Sequence, residues 1–180
     1  MQKYVYSSSI AAALIAASAS AAFAQSQPWN QVLAGEQRFV LLSQFVDEAV
    51  LDKETGLTWQ KSSTETFDIL PLTSHYCANV TVGNRRGWRL PTLQELKSVT
   101  DLSESSPTLT AGHPFVNVDL TRSYWSSTVT LNDPGFVWTM AFNVGEVTRA
   151  RACAGATCAG VPPVERAAWC RRGGSGAGAQ

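Results

Sequence analysis

The stretch Gly87–Val99, GWRLPTLQELKSV, constrains this chain more than any other part of it. Pro91 bars the residue before it from the helical region, so Trp88, Arg89 and Leu90 are held extended and read as a strand end. Directly afterwards Thr92 and Glu95 spell T-x-x-E, a capping box in which each side chain satisfies the other residue's free backbone N–H. Leu93, Leu96 and Val99 then recur at helical spacing and give the new helix a buried face. A strand must therefore become a helix across one proline.

The rest of the chain adds one helix and several strands. Phe39 to Leu42 is an apolar run. Ala49–Leu51 and Leu57–Gln60 flank a Thr55-Gly56 turn, the signature of a hairpin. Ile69, Leu72, Tyr76 and Val80 fall at three- and four-residue spacing, which predicts a helix whose first turn holds Pro71. Asp101 to Pro114 is rich in Ser, Thr and Pro and reads as a long loop. Ser123–Thr130 has strand composition, Asn132–Gly135 a turn, and Phe136, Trp138, Met140 and Phe142 alternate as one strand face. Asn143–Gly145 turns the chain into a strand over Glu146–Ala152, and Arg166–Arg172 reads as the final strand. Two helices followed by antiparallel strands make an α+β domain.

Lys3, the apolar run Ile10–Ala22 and the Ala22-Phe23-Ala24 pattern read as a cleaved export signal over residues 1–24. No membrane span is expected after cleavage, because the apolar run is short and alanine-rich. Residues 25–37 then form a polar leader, 38–172 the domain and 173–180 a Gly-rich tail. The 180 residues carry 14 Lys and Arg against 14 Asp and Glu. That balance argues against nucleic acid, whose partners are strongly basic. An even set of four cysteines, Cys77, Cys153, Cys158 and Cys170, argues for two disulfides in an oxidising compartment, periplasmic or secreted. Three pairings are open. Cys153 with Cys158, closing AGAT, is the economical one, and it leaves Cys77 with Cys170. Zinc would need ligand spacings and histidines that are not here.

LDKETGLTWQKS, YC, WRLPTLQEL, YWSST, VWTMAFNVGEV and the final WCRR, in this order, resemble the Lcl C-terminal domain family of exported bacterial domains, over about Phe45 to Arg172. The resemblance implies a C-type-lectin-like, disulfide-stapled fold with two helices packed on a twisted, mainly antiparallel sheet and chain ends brought together. It also implies cysteines at the positions of Cys77 and Cys170, which supports the long staple. Between Arg149 and Trp169 the chain departs from the family with a longer, cysteine-bearing excursion.

Such a fold invites a calcium-and-sugar reading. The acidic-Pro-Asn loop and Trp-Asn-Asp strand of calcium lectins are absent, and Asn132-Asp133-Pro134 reads as a turn, so no metal or cofactor is expected. Arginines are the better candidates. Arg85, Arg86 and Arg89 lie together, Arg149 and Arg151 share a strand face, and Arg171 and Arg172 close the domain. From Arg149 onward there are five arginines and one acid, whereas Glu36 to Asp68 holds seven acids and three bases. A positive face of this kind suits sulfated or carboxylated sugars through charge-assisted hydrogen bonds. Arg89 has an alternative use in a structural ion pair. Trp59, Trp88, Trp125 and Trp138 are expected in the core.

No catalytic residue is predicted. Ser126 and Ser127 would need a base, the chain has only His75 and His113, and no G-x-S-x-G elbow is present. One enzymatic alternative comes from RLPT…E, which is similar to a segment of the formylglycine-generating enzyme. The copper-binding cysteines of that enzyme share the spacing of Cys153 and Cys158, but its Ser, Tyr and Arg context is missing here. The reading is an exported binding module for an anionic glycan or an envelope or surface protein. A purely structural envelope role is the other alternative.

Overall fold

The computed structural model describes residues 33–63, 65–67, 69–101, 103–104, 106–152 and 166–172. Cys153, Cys158, the signal region 1–24 and the tail lie outside them. Among the described residues the elements in chain order are α1 (Gly35–Arg38), β1 (Phe39–Leu41), a 3-10 turn (Ser43–Phe45), β2 (Ala49–Asp52), β3 (Thr58–Gln60), β4 (Thr66–Phe67), α2 (Leu70–Asn79), β5 (Trp88–Arg89), α3 (Leu93–Ser98), β6 (Ser123–Val129), β7 (Phe136–Ala141), β8 (Val147–Arg151), β9 (Arg166–Ala167) and β10 (Arg171–Arg172). The fold is α+β, with a few short helices on largely antiparallel sheets.

Where one sheet was expected, the strands form two five-stranded sheets, β1-β2-β3-β10-β5 and β4-β9-β6-β7-β8. The reason lies in the last segment. The expected single strand over Arg166–Arg172 is broken into β9, which pairs with β4 and β6, and β10, which pairs with β3 and β5. Ala168, Trp169 and Cys170 carry the chain from one sheet to the other and are buried. Gln60 holds the crossing from beside: its N–H donates to the Cys170 carbonyl (3.0 Å), its Oε1 accepts from the Cys170 N–H (2.9 Å), and its carbonyl accepts from Trp169 Nε1 (2.8 Å).

Two apolar cores result. One gathers Phe39, Val50, Trp59, Leu96, Tyr124 and Trp169, the other Phe45, Ala49, Trp88, Trp125, Val137 and Cys170. Ala49 and Val50 are neighbours, as are Tyr124 and Trp125, and each pair divides between the cores. Successive strand side chains point to opposite faces, so both sheets have a core on either side at their middles. This bears on the expected pattern of β7. Along β7 and just beyond it Met140 and Phe142 are buried, as their alternation predicts, but Val137 and Thr139 on the other face are fully buried as well, and Phe136 and Trp138 are only half-buried because their end of the face is open. Trp59, Trp88 and Trp125 fill the cores, but the fourth place belongs to Trp169, ringed by Trp59, Phe115, Tyr124 and Phe142 at 4.6–6.0 Å.

The face of α2 departs in part from its expected pattern. Pro71 does sit in its first turn and Tyr76 and Val80 pack against the second core, but Thr73 and Cys77 are the fully buried residues and Leu72 is half exposed. The Cys77–Cys170 disulfide, spanning 93 residues, turns the helix so that Cys77 faces the second core. By contrast α3 follows its local signals. Thr92 Oγ accepts from the Glu95 N–H (3.2 Å) and Glu95 Oε2 from the Thr92 N–H (2.8 Å), completing the capping box. Leu96 and Val99 are fully buried.

Candidate functional site

The arginines do not form one face. Those with described contacts separate into three pairs. Glu95 takes the first. Its Oε1 accepts from Arg89 Nη2 (2.7 Å) and Arg171 Nη2 (2.7 Å), while its Oε2 remains in the capping box. Arg171 lies opposite Arg89 on neighbouring strands, so register alone brings both guanidiniums over the first turn of α3. Arg89 is thus a structural ion-pairing residue. Arg171, read above as a ligand residue, is buried and held in the same cluster.

Burial alone would push the Glu95 carboxyl up. Hydrogen bonds from Arg171, Thr92 and Arg89 outweigh it and hold the group below its ordinary value of 4.5. Stability from the ionised carboxylate is therefore complete above that value and is lost as pH falls through the lower folded-state value. Glu95→Gln is expected to cost about 2–3 kcal/mol at neutral pH, the size of lost charge-assisted hydrogen bonds. The gap from the parent in urea unfolding should narrow as pH drops below about 4.5. A gap independent of pH would contradict this.

Arg149 and Arg151 form the second pair. They are exposed on β8, opposite Trp138 and Phe136 respectively on β7. Both guanidiniums lie over the Phe136 ring, at 5.5 and 5.2 Å from its centroid. Each such contact contributes about 0.5–1 kcal/mol at an exposed site and leaves the in-plane N–H groups free to donate. Half-buried Trp138 extends the aromatic surface beside Arg149.

The third pair comes from residues far apart in sequence. Arg85 and Arg172 each place a guanidinium 5.1 Å from the Phe45 ring centroid. Phe45 is buried against Trp88, edge to face at 6.1 Å. Two turns hold the arrangement: the Gly83 N–H donates to Glu48 Oε2 (2.6 Å), Arg85 Nε to the Gln44 carbonyl (3.2 Å), and Trp88 Nε1 to the Arg85 carbonyl (2.9 Å). Gly83 has φ +54, and a Cβ there would stand 2.1 Å from the Phe45 carbonyl oxygen, so only glycine lets the turns close. Val46, φ 54, presents an exposed apolar side chain beside them, and Arg86 is exposed. Among the described residues none of Arg85, Arg149, Arg151 or Arg172 forms an ion pair with a carboxylate.

The other candidates have local uses. Ser126 Oγ is buried and donates to the Trp138 carbonyl (2.6 Å), and Ser127 Oγ donates to the Pro91 carbonyl (3.2 Å). His75 is exposed on α2. His113 Nδ1 accepts from the Phe115 N–H (3.2 Å), and burial holds its pKa below the usual value. Among the described residues no three His, Cys, Asp or Glu side chains gather as metal ligands, and no helix is long and apolar enough to cross a membrane.

Sequence reasoning missed the ring under each exposed pair and also a buried ion pair, Arg38 with Asp52 (2.7 Å). The alternation of Phe136 against Arg149 and Arg151 was a usable signal for the second pair. Nothing local announces that Phe45 meets Arg172.

Compared with known proteins, the chain matches the family model described as the Lcl C-terminal domain over residues 48–160. Cys170, Arg171 and Arg172 lie beyond the matched span. No curated protein matches the chain.

Proposed function

The chain belongs to the Lcl C-terminal domain family, and from that premise we propose that it is an exported, non-catalytic module that binds anionic glycans through its ring-stacked arginine pairs. The observation that carries this is the convergence of two guanidiniums on one ring, at Phe136 and again at Phe45, none of the four in an ion pair with a described carboxylate. Stacked guanidiniums are already ordered, so less side-chain freedom is lost when their N–H groups take a sulfate or carboxylate. Half-buried Trp138 offers apolar area to a sugar ring.

The C-type-lectin-like plan belongs to the same proposal. Its support is that the last strand, β10, lies between β3 and β5 and so brings the end of the domain back to its early strands. Export is supported by the signal-like residues 1–24 and by the Cys77–Cys170 bridge, since disulfides persist in oxidising compartments.

Dextran sulfate, with neutral dextran as control, tests the proposal. Affinity is expected to fall steeply as salt rises, because exposed charges are screened within a Debye length of about 8–10 Å. Arg149→Ala/Arg151→Ala and Arg85→Ala/Arg172→Ala should each weaken binding about tenfold or more. Binding that ignores salt and both double variants would overturn the assignment.

A further inference from the structure

Strand β8 ends its sheet, so one of its two edges has no neighbour among the described strands. Which backbone groups face that edge follows from the register. The Ala141 N–H donates to the Glu146 carbonyl and the Ala152 N–H to the Gly135 carbonyl. In an antiparallel ladder hydrogen-bonded pairs alternate with non-bonded ones, so Thr148 and Ala150 direct their N–H and C=O groups inward to β7. Val147, Arg149 and Arg151 direct theirs outward, repeating about every 6.8 Å. The same alternate residues carry the Arg149 and Arg151 side chains, held over Phe136.

The edge therefore presents a strand's main-chain hydrogen-bonding groups together with two cations on one face. A second copy of β8 is a poor occupant, because it would bring arginines against arginines, and like charges across strands repel. An extended segment with acidic residues at alternate positions matches both the spacing and the charge. We infer that β8 is a docking edge for an acidic, extended segment of another protein, which adds as a sixth strand beyond β8. This rests on reading Arg149 and Arg151 as anion-facing, and it adds a backbone requirement that no glycan can meet.

Amide hydrogen exchange on the full-length protein reads this directly. The probe is a blocked peptide of about seven residues that alternates Glu with Thr or Val. In the protein alone, the Val147, Arg149 and Arg151 amides should exchange fast and those of Thr148 and Ala150 slowly. The peptide should slow the first three about tenfold or more. The same peptide N-methylated on alternate amides, or with Lys for Glu, should not, and Arg149→Ala/Arg151→Ala should weaken the effect. Fast exchange that persists at saturating peptide, or slow exchange of the three amides before peptide is added, overturns the inference. Dextran sulfate should compete without slowing these amides. A peptide that behaves only in that way overturns strand addition and leaves the glycan reading intact. Slowed amides in a protein that ignores dextran sulfate uphold the docking edge and end the glycan reading.

Discussion

Replacing Cys77 and Cys170 together by alanine is expected to lower the unfolding free energy by about 4–5 kcal/mol. The loop closed by this bridge spans 93 residues, and in the chain-entropy model a loop of that order restricts the unfolded chain by about that amount. Alanine is preferable to serine, because both sulfurs lie in the second core and an unpaired hydroxyl there would add its own cost. Urea unfolding of the parent with and without reductant gives the companion measurement, and the reduced parent should approach the double variant. A loss below about 1 kcal/mol in both would mean that the bridge is incidental to stability and that α2 is held by packing alone.

Arg38→Met should cost a further and separate 3–5 kcal/mol or so, the range for breaking one side of a buried ion pair. Arg38 and Asp52 are both fully buried, with Nε donating to Oδ1 (2.8 Å) and Nη2 to Oδ2 (2.7 Å). The same guanidinium donates to the Ser98 carbonyl at the end of α3 and meets Glu54 at 3.2 Å. Asp52 also accepts from the Glu54 N–H (3.0 Å) and Thr55 Oγ1 (2.7 Å), which shapes the turn between β2 and β3. One arginine thus ties α1, that hairpin and α3. Because most of the cost is an uncompensated charge, Arg38→Met/Asp52→Leu should recover much of the stability lost by Arg38→Met alone. Additive losses in this double-mutant cycle would contradict that account.

What could be seen in the chain beforehand was whatever its neighbours in sequence decide. The proline, the capping box and the buried Leu96 and Val99 needed only a few consecutive residues, and so did the hairpin around Gly56. On α2 Tyr76 and Val80 face the core as their spacing predicts, but Leu72 does not, because the bridge to Cys170 centres the buried face on Cys77. The alternation of β7 held at Met140 and Phe142 but did not disclose the second core behind Val137. The arginines were recognised as a group, yet their sorting depends on register. Arg171 meets Glu95 because β10 falls beside β5, and Arg172 meets Phe45 because the 3-10 turn reaches the same place. No periodicity carries such information. The Arg38–Asp52 pair was hidden for a similar reason, since a lone arginine and aspartate on a polar stretch ordinarily read as solvated surface.

The position of the final strands also governs the order in which this chain can become a protein. β9 lies between β4 and β6, and β10 between β3 and β5. The first joins an early strand to a later one and the second joins two early ones, and Trp169 and Cys170 between them enter different cores. A nascent chain that stops short of this segment lacks the splice in both sheets at once. Both sheets are therefore complete only when residues 166–172 are in place, and contacts of such long sequence separation form slowly.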